Sequence, residues 1–348
     1  MIIGLNKITI RRPDDWHLHV RNDYLLKLVL PYTSSIFGRA MIMPNLLPPI
    51  TNIKSAINYR NKILSLLPKN HKFIPLMTCY LTESSNPNEI ELGFNTGVFA
   101  AVKLYPQSST TNSSYGIKNI TSVNKVLERL QKIGMPLLIH CEITDINVDI
   151  FDREAYFIEK IMQPLRKRFP ELKIVMEHIS TKEAVEYVNS SDNKIAATIT
   201  PHHLMLNRND LLTNYINPHF YCFPIIKSKL HQQALREAVS KGNPNFFLGT
   251  DSAPHFRCTK ENKCGHAGIF NAPTALLAYA TVFEELNAIK YFESFCSENG
   301  ARFYDLSLNK EKITLIRKRC EIKKTINLFP YDLVPFLAGK TLNWSIKD

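Results

Sequence analysis

Two histidines that are one residue apart, His17 and His19 in "DDWHLH", are the first residues whose types and spacing could do chemistry. In an extended segment, residues i and i+2 point to the same face, so both imidazoles would converge while Leu18 faces the other side. Two neutral imidazoles that converge can share one metal ion. An isolated His-x-His also fits a solvated strand edge, so the rest of the chain must decide.

Four further reactive residues stand at the ends of apolar runs. "VFAAVK" ends in Lys103, "PLLIH" in His140, "KIVMEH" in His178 and "FFLGTD" in Asp251. Singly, each could be a solvated loop residue or a cap. On one rim of a sheet, together with the histidine pair, they would form a metal-binding constellation. The lysine would have to lose its charge, and addition of carbon dioxide to the neutral amine would give a carbamate, a bridging anion.

The elements that must position these residues are eight apolar runs separated by helical patterns. The runs are "KITIRR", "RAMIMPN", "KFIPLMTCYL", "VFAAVKLY", "MPLLIHCE", "LKIVMEHIS", "KIAATITPHH" and "NFFLGTDSAPH". Near-continuous apolar strands that alternate with helices predict a parallel sheet covered by helices. Eight units in about 250 residues favour a (β/α)8 barrel of the TIM type over an open doubly wound sheet. No Gly-x-Gly-x-x-Gly or Walker motif follows any strand.

The C-terminal quarter continues the helical pattern in "NAPTALLAYATVFEELNAIKYFESFCSENGARFY". The tail "YDLVPFLAGKTLNWSIKD" is less regular. We expect both to form a C-terminal helical appendage that closes the barrel, so that residues 1–348 make a single barrel domain. In such barrels the active site lies at the C-terminal strand ends, where the reactive residues are predicted.

Composition limits the other functions. Of 348 residues, 45% are hydrophobic and 21% charged, and no apolar run approaches the roughly 20 residues of a membrane span. The first residues lack a secretory signal pattern, so we expect a cytoplasmic protein without a membrane partner. The net charge is +12, but the lysines are dispersed, and the densest run, "LIRKRCEIKK", contains a glutamate. We expect no nucleic-acid partner.

Seven cysteines form no disulfide framework, because the number is odd and none is spaced Cys-x-x-Cys. We expect free thiols in a cytoplasmic chain. One segment, "HFRCTKENKCGHAG", holds His255, Cys258, Cys264 and His266 and could form a structural zinc site. Its Cys-x5-Cys spacing is poor for zinc, so this remains a weak alternative.

Taken together, the histidine pair, the lysine, the two later histidines and the aspartate resemble the amidohydrolase superfamily with a binuclear zinc centre. The similarity to its dihydroorotases of the bacterial type is closer and spans nearly the whole chain. It rests on "RRPDDWHLHVR", "MPNLLPP", "LMTCYLT", "KLYPQSSTTNSS", "GMPLLIHCE", "IFDREA", "TPHHLMLNR", "LGTDSAPH", "FNAPTALLAYATVFEE" and "VPFLAGKTLNWS". Two residues depart from the family pattern: Cys141 stands where Gly is expected, and Phe223 where Leu is expected.

The resemblance implies a set of metal ligands. It assigns His17 and His19 to one Zn²⁺ and His140 and His178 to a second. Carboxylated Lys103 and a hydroxide would bridge the two ions. Asp251 would bind the first ion and shuttle the proton.

The resemblance also implies the substrate: dihydroorotate, interconverted with N-carbamoyl-L-aspartate in de novo pyrimidine (UMP) biosynthesis by a homodimer. It assigns Arg21, Asn45 and His255 to the substrate carboxylate, and the backbone of Phe223 and Ala267 to the ring amides. The other expected substrate contacts are His19, His140 and the adjacent hydroxyls of Thr110 and Thr111, which lie on a loop that would act as a lid.

Three alternatives stay open. A different cyclic amidohydrolase could act on a hydantoin, a dihydropyrimidine or allantoin, although Arg21 and His255 favour a ring that bears a carboxylate. A catalytically silent homologue could serve as a scaffold, although it would have no need to retain all six ligands. Nucleic-acid binding through the positive charge is the third.

Overall fold

The barrel is built from eight parallel strands in a computed structural model that describes residues 5–213, 215–328 and 331–347. The strands are Asp14–Leu18, Arg39–Ile42, Ile74–Tyr80, Ala101–Leu104, Leu137–His140, Ile174–Glu177, Ile195–Ile199 and Phe246–Leu248. Each pairs with the next in chain order. A parallel bridge between Leu18 and Ser252 brings the last strand back to the first. The predicted (β/α)8 barrel is confirmed.

Helices cover the outside of the barrel, and their ends follow local capping rules. The α-helices are Asp23–Ser34, Ile53–Ser65, Pro87–Asn95, Asn124–Ile133, Arg153–Phe157, Gln163–Arg168, Lys182–Ser190, Pro201–Met205, Arg208–Leu212, Lys229–Ser240, Arg257–Lys260, Ala275–Glu285 and Asn299–Phe303. Short 3-10 turns lie at Ile120–Val123, Pro218–Phe220 and Ile289–Tyr291, and π-helical turns at Ile158–Met162 and Ser294–Glu298. Asn52 and Thr181 cap helix starts, and left-handed Gly134 ends another. Within the described chain, none of these helices has the length and apolarity to cross a bilayer.

The barrel interior is layered, and this layering determines where the polar residues lie. A separate apolar cluster fills the inside of the strands. It contains Trp16, Met41, Met43, Ala101, Leu138, Val175, Ala196 and Phe247. Because side chains alternate along a strand, the residues two positions later also face inward. On four neighbouring strands those residues are polar and buried: Lys103, His140, Glu177 and Thr198. A polar layer therefore lies on the apolar one.

The prediction that "KITIRR" is the first barrel strand is wrong. Lys7–Arg11 lies outside the barrel and pairs antiparallel with Lys312–Glu321. Its alternating pattern explains why, since Ile8 and Ile10 are buried whereas Lys7 and Thr9 are exposed. A barrel strand covered on both faces is buried at nearly every position. Asp14–Leu18 meets that condition and is the true first strand.

The C-terminal region contains the predicted helices and also a sheet that the prediction omitted. The basic run "LIRKRCEIKK" belongs mostly to the ten-residue strand Lys312–Glu321. This strand pairs with Lys7–Arg11 on one side and Thr341–Ile346 on the other. Ile326–Leu328 and Tyr331–Leu333 form a second, two-stranded sheet. The tail is therefore a β-structure that joins both ends of the described chain.

Gly300 provides a test of the packing beneath the barrel. Its helix lies against Trp16, and a Cβ added at Gly300 would be 2.0 Å from the Trp16 Nε1. Gly to Ala usually stabilises a helix interior by about 0.5–1 kcal/mol, but overpacking a core costs about 1–3 kcal/mol. We expect Gly300→Ala to lower the free energy of unfolding by roughly 1–2 kcal/mol in denaturant titration. Arg302→Ala, on the exposed side of the same helix, is the control. A higher denaturation midpoint for Gly300→Ala would contradict the close packing.

Candidate active site

Two pairs of histidines meet at the C-terminal end of the barrel, each through one ring nitrogen. The Nε2 atoms of His17 and His19 are 3.3 Å apart. The Nδ1 of His140 and the Nε2 of His178 are also 3.3 Å apart. All four side chains are buried. The convergence expected from the His-x-His spacing is therefore present.

Asp251 joins the first pair. Its Oδ1 is 3.4 Å from the His17 Nε2 and 3.1 Å from the His19 Nε2. The aspartate follows the strand Phe246–Leu248, and its backbone N–H donates to the His17 carbonyl at 2.8 Å. Burial raises the pKa of the Asp251 carboxyl, although His17 and Lys103 act in the opposite direction.

These distances fit a tetrahedral metal site. Zinc binds histidine nitrogen and carboxylate oxygen at about 2.0–2.1 Å, so two ligand atoms on one tetrahedron lie about 3.3–3.4 Å apart. The two nitrogen pairs, at 3.3 Å each, match that edge length. The carboxylate contacts, at 3.1 and 3.4 Å, lie close to it. His17, His19 and Asp251 therefore have the spacing of three ligands of one metal ion, and His140 and His178 have the spacing of two.

Lys103 is the most unusual side chain of the polar layer. It is fully buried, and its Nζ has no hydrogen-bond partner among the described residues. The ammonium lies 4.8 Å from the centre of the Tyr105 ring. Burial lowers the pKa of Lys103 to about 8, which increases the fraction of neutral amine near pH 7. A neutral, unpartnered amine is the form that can add carbon dioxide.

Two glutamates orient one histidine of each pair, by contacting the ring nitrogen that is not directed at the other histidine. Neither glutamate was predicted from the sequence. The Glu177 Oε2 is 2.6 Å from the His17 Nδ1, and the Glu142 Oε2 is 2.9 Å from the His140 Nε2. An imidazole that donates from one nitrogen keeps the other as a lone pair for a metal. Strand alternation from the inward Val175 would have pointed to Glu177.

Burial favours the neutral form of three of these histidines, His17, His19 and His178. The pKa of His17 is lowered by burial, although Glu177 raises it in part. The pKa values of His19 and His178 are lowered further, also mainly by burial. Neutral imidazole is the metal-binding form.

Asp15, fully buried beside this layer, holds the turn that carries Asp251. It accepts hydrogen bonds from the backbone N–H and the hydroxyl of Thr250 at 2.8 and 2.6 Å. It also accepts from the His17 backbone N–H at 3.2 Å. Burial raises the pKa of Asp15 to about 7, against the opposing effect of these hydrogen bonds. The sequence prediction did not single out this residue.

Except for Lys103 and His255, the predicted metal and substrate residues line one cleft of about 340 Å³. The lining residues are His17, His19, Arg21, Asn45, Tyr105, Thr110, Thr111, His140, His178, Phe223, Asp251, Ala253, Ala267 and Gly268. Tyr105, Ala253 and Gly268 were not predicted. The Tyr105 hydroxyl is buried and unpartnered within the described residues, and its only sequence signal was its position after Lys103.

Arg21 and His255 form a polar pair at one side of the cleft. The Arg21 Nη2 donates to the His255 Nε2 at 2.9 Å, and its Nε donates to the Pro254 carbonyl at 3.1 Å. Burial, followed by the Arg21 charge, lowers the pKa of His255, so its ring is neutral. His255 contacts Arg21 rather than lining the cleft itself.

The loop after Lys103 lies over the cleft. The Asn45 side-chain amide donates to the Thr111 carbonyl at 2.9 Å, and the Asn112 amide donates to the Asn45 carbonyl at 3.0 Å. The Thr111 hydroxyl is 3.4 Å from the Ala267 carbonyl. The loop therefore contacts two separate segments of the cleft wall, and Thr110 lines the cleft beside Thr111.

The two departures from the family pattern lie in different places. Phe223 lines the cleft. Cys141 is fully buried in the outer apolar core, and its Sγ is 3.5 Å from the Ile139 carbonyl. Only the first can therefore touch a bound ligand.

A second buried group of possible metal ligands, His202, His203 and Cys222, was not predicted. Its ligand atoms lie within 4.8 Å of one another. The His203 ring nitrogens are bonded to the Thr200 hydroxyl at 2.8 Å and the Pro224 carbonyl at 3.0 Å. The Cys222 Sγ also contacts the Pro224 carbonyl, at 3.2 Å. These partners give His203 and Cys222 a structural role without an ion.

The weak zinc alternative at "HFRCTKENKCGHAG" gains no geometric support. Cys258 and Cys264 are exposed free thiols. His255 is bonded to Arg21, and the His266 ring stacks on the His255 ring at 5.0 Å. In the described part of the chain, these four residues form no converging group of metal ligands.

Comparison with known proteins places this geometry in a family, although no protein-family model matches the chain. The dihydroorotase of Campylobacter jejuni is 33% identical with a TM-score of 0.91, and the match covers 100% of this chain and 99% of that one. A dihydroorotase from Saccharomyces cerevisiae, solved in complex with 5-fluoroorotic acid, is 31% identical with a TM-score of 0.91 and 99% coverage of both chains. An L-hydantoinase (dihydropyrimidinase) from Arthrobacter aurescens shares the fold at 14% identity and a TM-score of 0.82, over 98% of this chain and 83% of that one. The chain therefore belongs to the dihydroorotase family and is a cyclic amide hydrolase.

Proposed function

We propose that this protein is a dihydroorotase that interconverts dihydroorotate and N-carbamoyl-L-aspartate in de novo UMP synthesis. The observation that carries the proposal is the Arg21–His255 pair, which lies beside the histidines and Asp251 that are proposed to bind metal. The Arg21 guanidinium is bonded to the Pro254 carbonyl and a neutral imidazole, and it has no ion pair within the described residues. A substrate carboxylate would supply the missing negative charge.

The proposed cofactors are two Zn²⁺ ions. His17, His19 and Asp251 would hold one, and His140 and His178 the other, with carboxylated Lys103 and a hydroxide between them. When bound, the ions supply Lewis acidity, which activates water near neutral pH and polarises the amide carbonyl. Support comes from the 3.3 Å nitrogen pairs and the unpartnered lysine amine.

Asp251 is the proposed proton carrier. Its buried carboxyl has a raised pKa, which makes it able both to accept a proton and to release it. In hydrolysis it would take the proton from the attacking water and deliver it to the leaving ring nitrogen. The link from Asp15 to Thr250 fixes the turn, so the carboxylate does not have to be oriented during the reaction.

The remaining groups would bind and enclose the substrate. Arg21, Asn45 and His255 are proposed to bind its carboxylate, and the backbone of Phe223 and Ala267 its ring amides. Further substrate contacts are proposed for His19, His140, Thr110 and Thr111. The threonines on the covering loop would exclude excess water and orient the ring.

Hydantoinase, dihydropyrimidinase and allantoinase activities form the second candidate. A panel of dihydroorotate, dihydrouracil, hydantoin and allantoin separates the candidates, with metal content per chain measured on the same preparation. Dihydrouracil is the sharpest comparison, because it lacks only the carboxylate of dihydroorotate. Preferential turnover of dihydrouracil would contradict the proposed function. Metal-loaded protein that is inactive on every ring would favour the silent homologue.

The proposed biological setting is a cytoplasmic homodimer of single-domain chains that needs a small-molecule substrate and no nucleic-acid or membrane partner. The dimer rests on the family resemblance, and the expectation of no nucleic-acid partner rests on the dispersed lysines. Light scattering would test the dimer, and a salt-dependent gel shift would test nucleic-acid binding.

Lys103→Ala tests the metal bridge. The carboxylate of the polar layer, Glu177, is already bonded to His17 and Thr198, so we expect loss of both metal and dihydroorotate hydrolysis. Metal should be measured by elemental analysis after dialysis against a weak chelator. Exposed Lys69→Ala is the matched control. A Lys103→Ala protein with two zinc ions and normal turnover would remove the lysine from the site.

The reaction equilibrium should depend on pH. N-carbamoyl-L-aspartate carries two carboxylates and dihydroorotate one, so hydrolysis releases a proton and ring closure consumes one. Well above the carboxylate pKa of about 4, each added pH unit should shift the equilibrium about tenfold toward hydrolysis. The ratio reached from both directions should be measured between about pH 6 and pH 8. A ratio that does not change with pH would exclude this reaction.

The covering loop should contribute to catalysis through its hydroxyls. We expect Thr110→Ala combined with Thr111→Ala to keep both zinc ions and to lower kcat/KM at least about tenfold, or roughly 1.4 kcal/mol. Exposed Ser114→Ala in the same loop is the control. Unchanged kinetics in both directions would make the loop a simple connector.

A further inference from the structure

Lys260 is a buried cation for which the proposed mechanism has no use. It is the last residue of the short helix Arg257–Lys260, and only 4% of it is exposed. Burial lowers the pKa of its ammonium to about 8, so most of it is charged at neutral pH. It forms no ion pair with any described carboxylate. Removing a charge from water without a counter-ion is costly, so its position needs an explanation.

Three backbone carbonyls surround the Lys260 ammonium. The Nζ donates to the carbonyls of Tyr221 at 3.1 Å, His266 at 2.9 Å and Gly268 at 2.5 Å. Three donors therefore meet three acceptors, which uses the full hydrogen-bonding capacity of the group. The acceptors come from two segments that are far apart in sequence. The Gly268 N–H also donates to the Tyr221 carbonyl, at 2.9 Å.

Both segments form the wall of the cleft. Phe223 lies two residues beyond the acceptor Tyr221. Ala267 lies between the other two acceptors, His266 and Gly268. The carbonyls on either side of Ala267 are bonded to the ammonium. The carbonyl of Ala267 itself faces the covering loop, 3.4 Å from the Thr111 hydroxyl. Lys260 therefore fixes the peptide groups on either side of Ala267, and it leaves the Ala267 carbonyl itself available to the cleft.

We propose that Lys260 is a positioning residue, which locks the 221–223 and 266–268 segments together so that their backbone groups match the two ring amides of the substrate. The proposal rests on the proposed function, because that function assigns the ring amides to the backbone of Phe223 and Ala267. Lys260 does not touch the substrate. It also gives the segment "HFRCTKENKCGHAG" a purpose other than zinc binding.

Hydrogen bonds account for this role better than charge alone. A cation near an anionic substrate would attract it from any position, without needing three carbonyl partners. Directed bonds to both segments fix the orientation of their peptide planes. A guanidinium is planar and larger, so arginine would keep the charge but could not meet the same three carbonyls from the same place.

The test uses the metal-loaded enzyme with Lys260→Met, Lys260→Arg and the exposed control Lys263→Met from the same loop. We expect Lys260→Met to raise KM for dihydroorotate at least about tenfold while kcat changes less than about threefold. Affinity for 5-fluoroorotate, a ring ligand that is not hydrolysed, should fall by the same factor. Affinity for succinate, which has carboxylates but no ring amides, should stay within about twofold. Zinc content should not change.

Hydrogen exchange provides a readout that does not depend on activity. Peptides that cover 219–224 and 264–270 should exchange faster in Lys260→Met and stay unchanged in Lys263→Met. Equal losses of 5-fluoroorotate and succinate affinity would indicate a charge effect and would overturn the positioning role. Full restoration by Lys260→Arg would do the same.

Failure of this inference can be distinguished from failure of the proposed function. If the wild-type protein hydrolyses dihydroorotate and Lys260→Met behaves like wild type, only the role of Lys260 is wrong. If the wild-type protein does not act on dihydroorotate, the proposed function fails, and the ring-positioning role fails with it.

Discussion

The hydrogen bond between the His17 Nδ1 and the Glu177 Oε2 is 2.6 Å long, and both side chains are fully buried. It links the first barrel strand to the sixth across the interior. A carboxylate removed from water requires donors, and Thr198 supplies a second one at 2.7 Å. The imidazole then keeps its other nitrogen as a lone pair toward the centre of the barrel. His140 and Glu142 repeat the arrangement, so the site depends on paired buried carboxylates as much as on histidines.

The sequence was sufficient to predict the barrel and the rim, because both follow from periodicity. Polar residues that end apolar runs gave Lys103, His140, His178 and Asp251 directly. The first strand was predicted wrongly because "KITIRR" is an apolar run that precedes the histidines. Its apolar and polar residues alternate, however, which is typical of a strand with one exposed face. Lys260 could not have been found this way. Its partners lie in irregular loops, one of them 39 residues away, and no repeat pattern connects them.

Backbone conformation adds a constraint that residue types do not reveal. Arg21, His178 and Asp251 all have positive φ angles, at 59°, 42° and 45°. Non-glycine residues in this region cost of order 1–3 kcal/mol each, so the surroundings must hold them. For two of them the holding contacts are visible: the His178 N–H donates to the Thr198 hydroxyl, and the Asp251 N–H donates to the His17 carbonyl. Three of the nine described non-glycine residues with positive φ therefore belong to the site.

The strand Lys7–Arg11 has a consequence for synthesis on the ribosome. Its partner is Lys312–Glu321, and the Thr9 and Thr314 hydroxyls that meet across the two strands are 305 residues apart. The segment that leads directly into His17 and His19 is therefore synthesised long before its partner strand. Until then the edge of this strand that pairs with Lys312–Glu321 has no partner. A nascent chain stalled before residue 312 would expose that edge to other chains, so translation speed and chaperone access become determinants of yield.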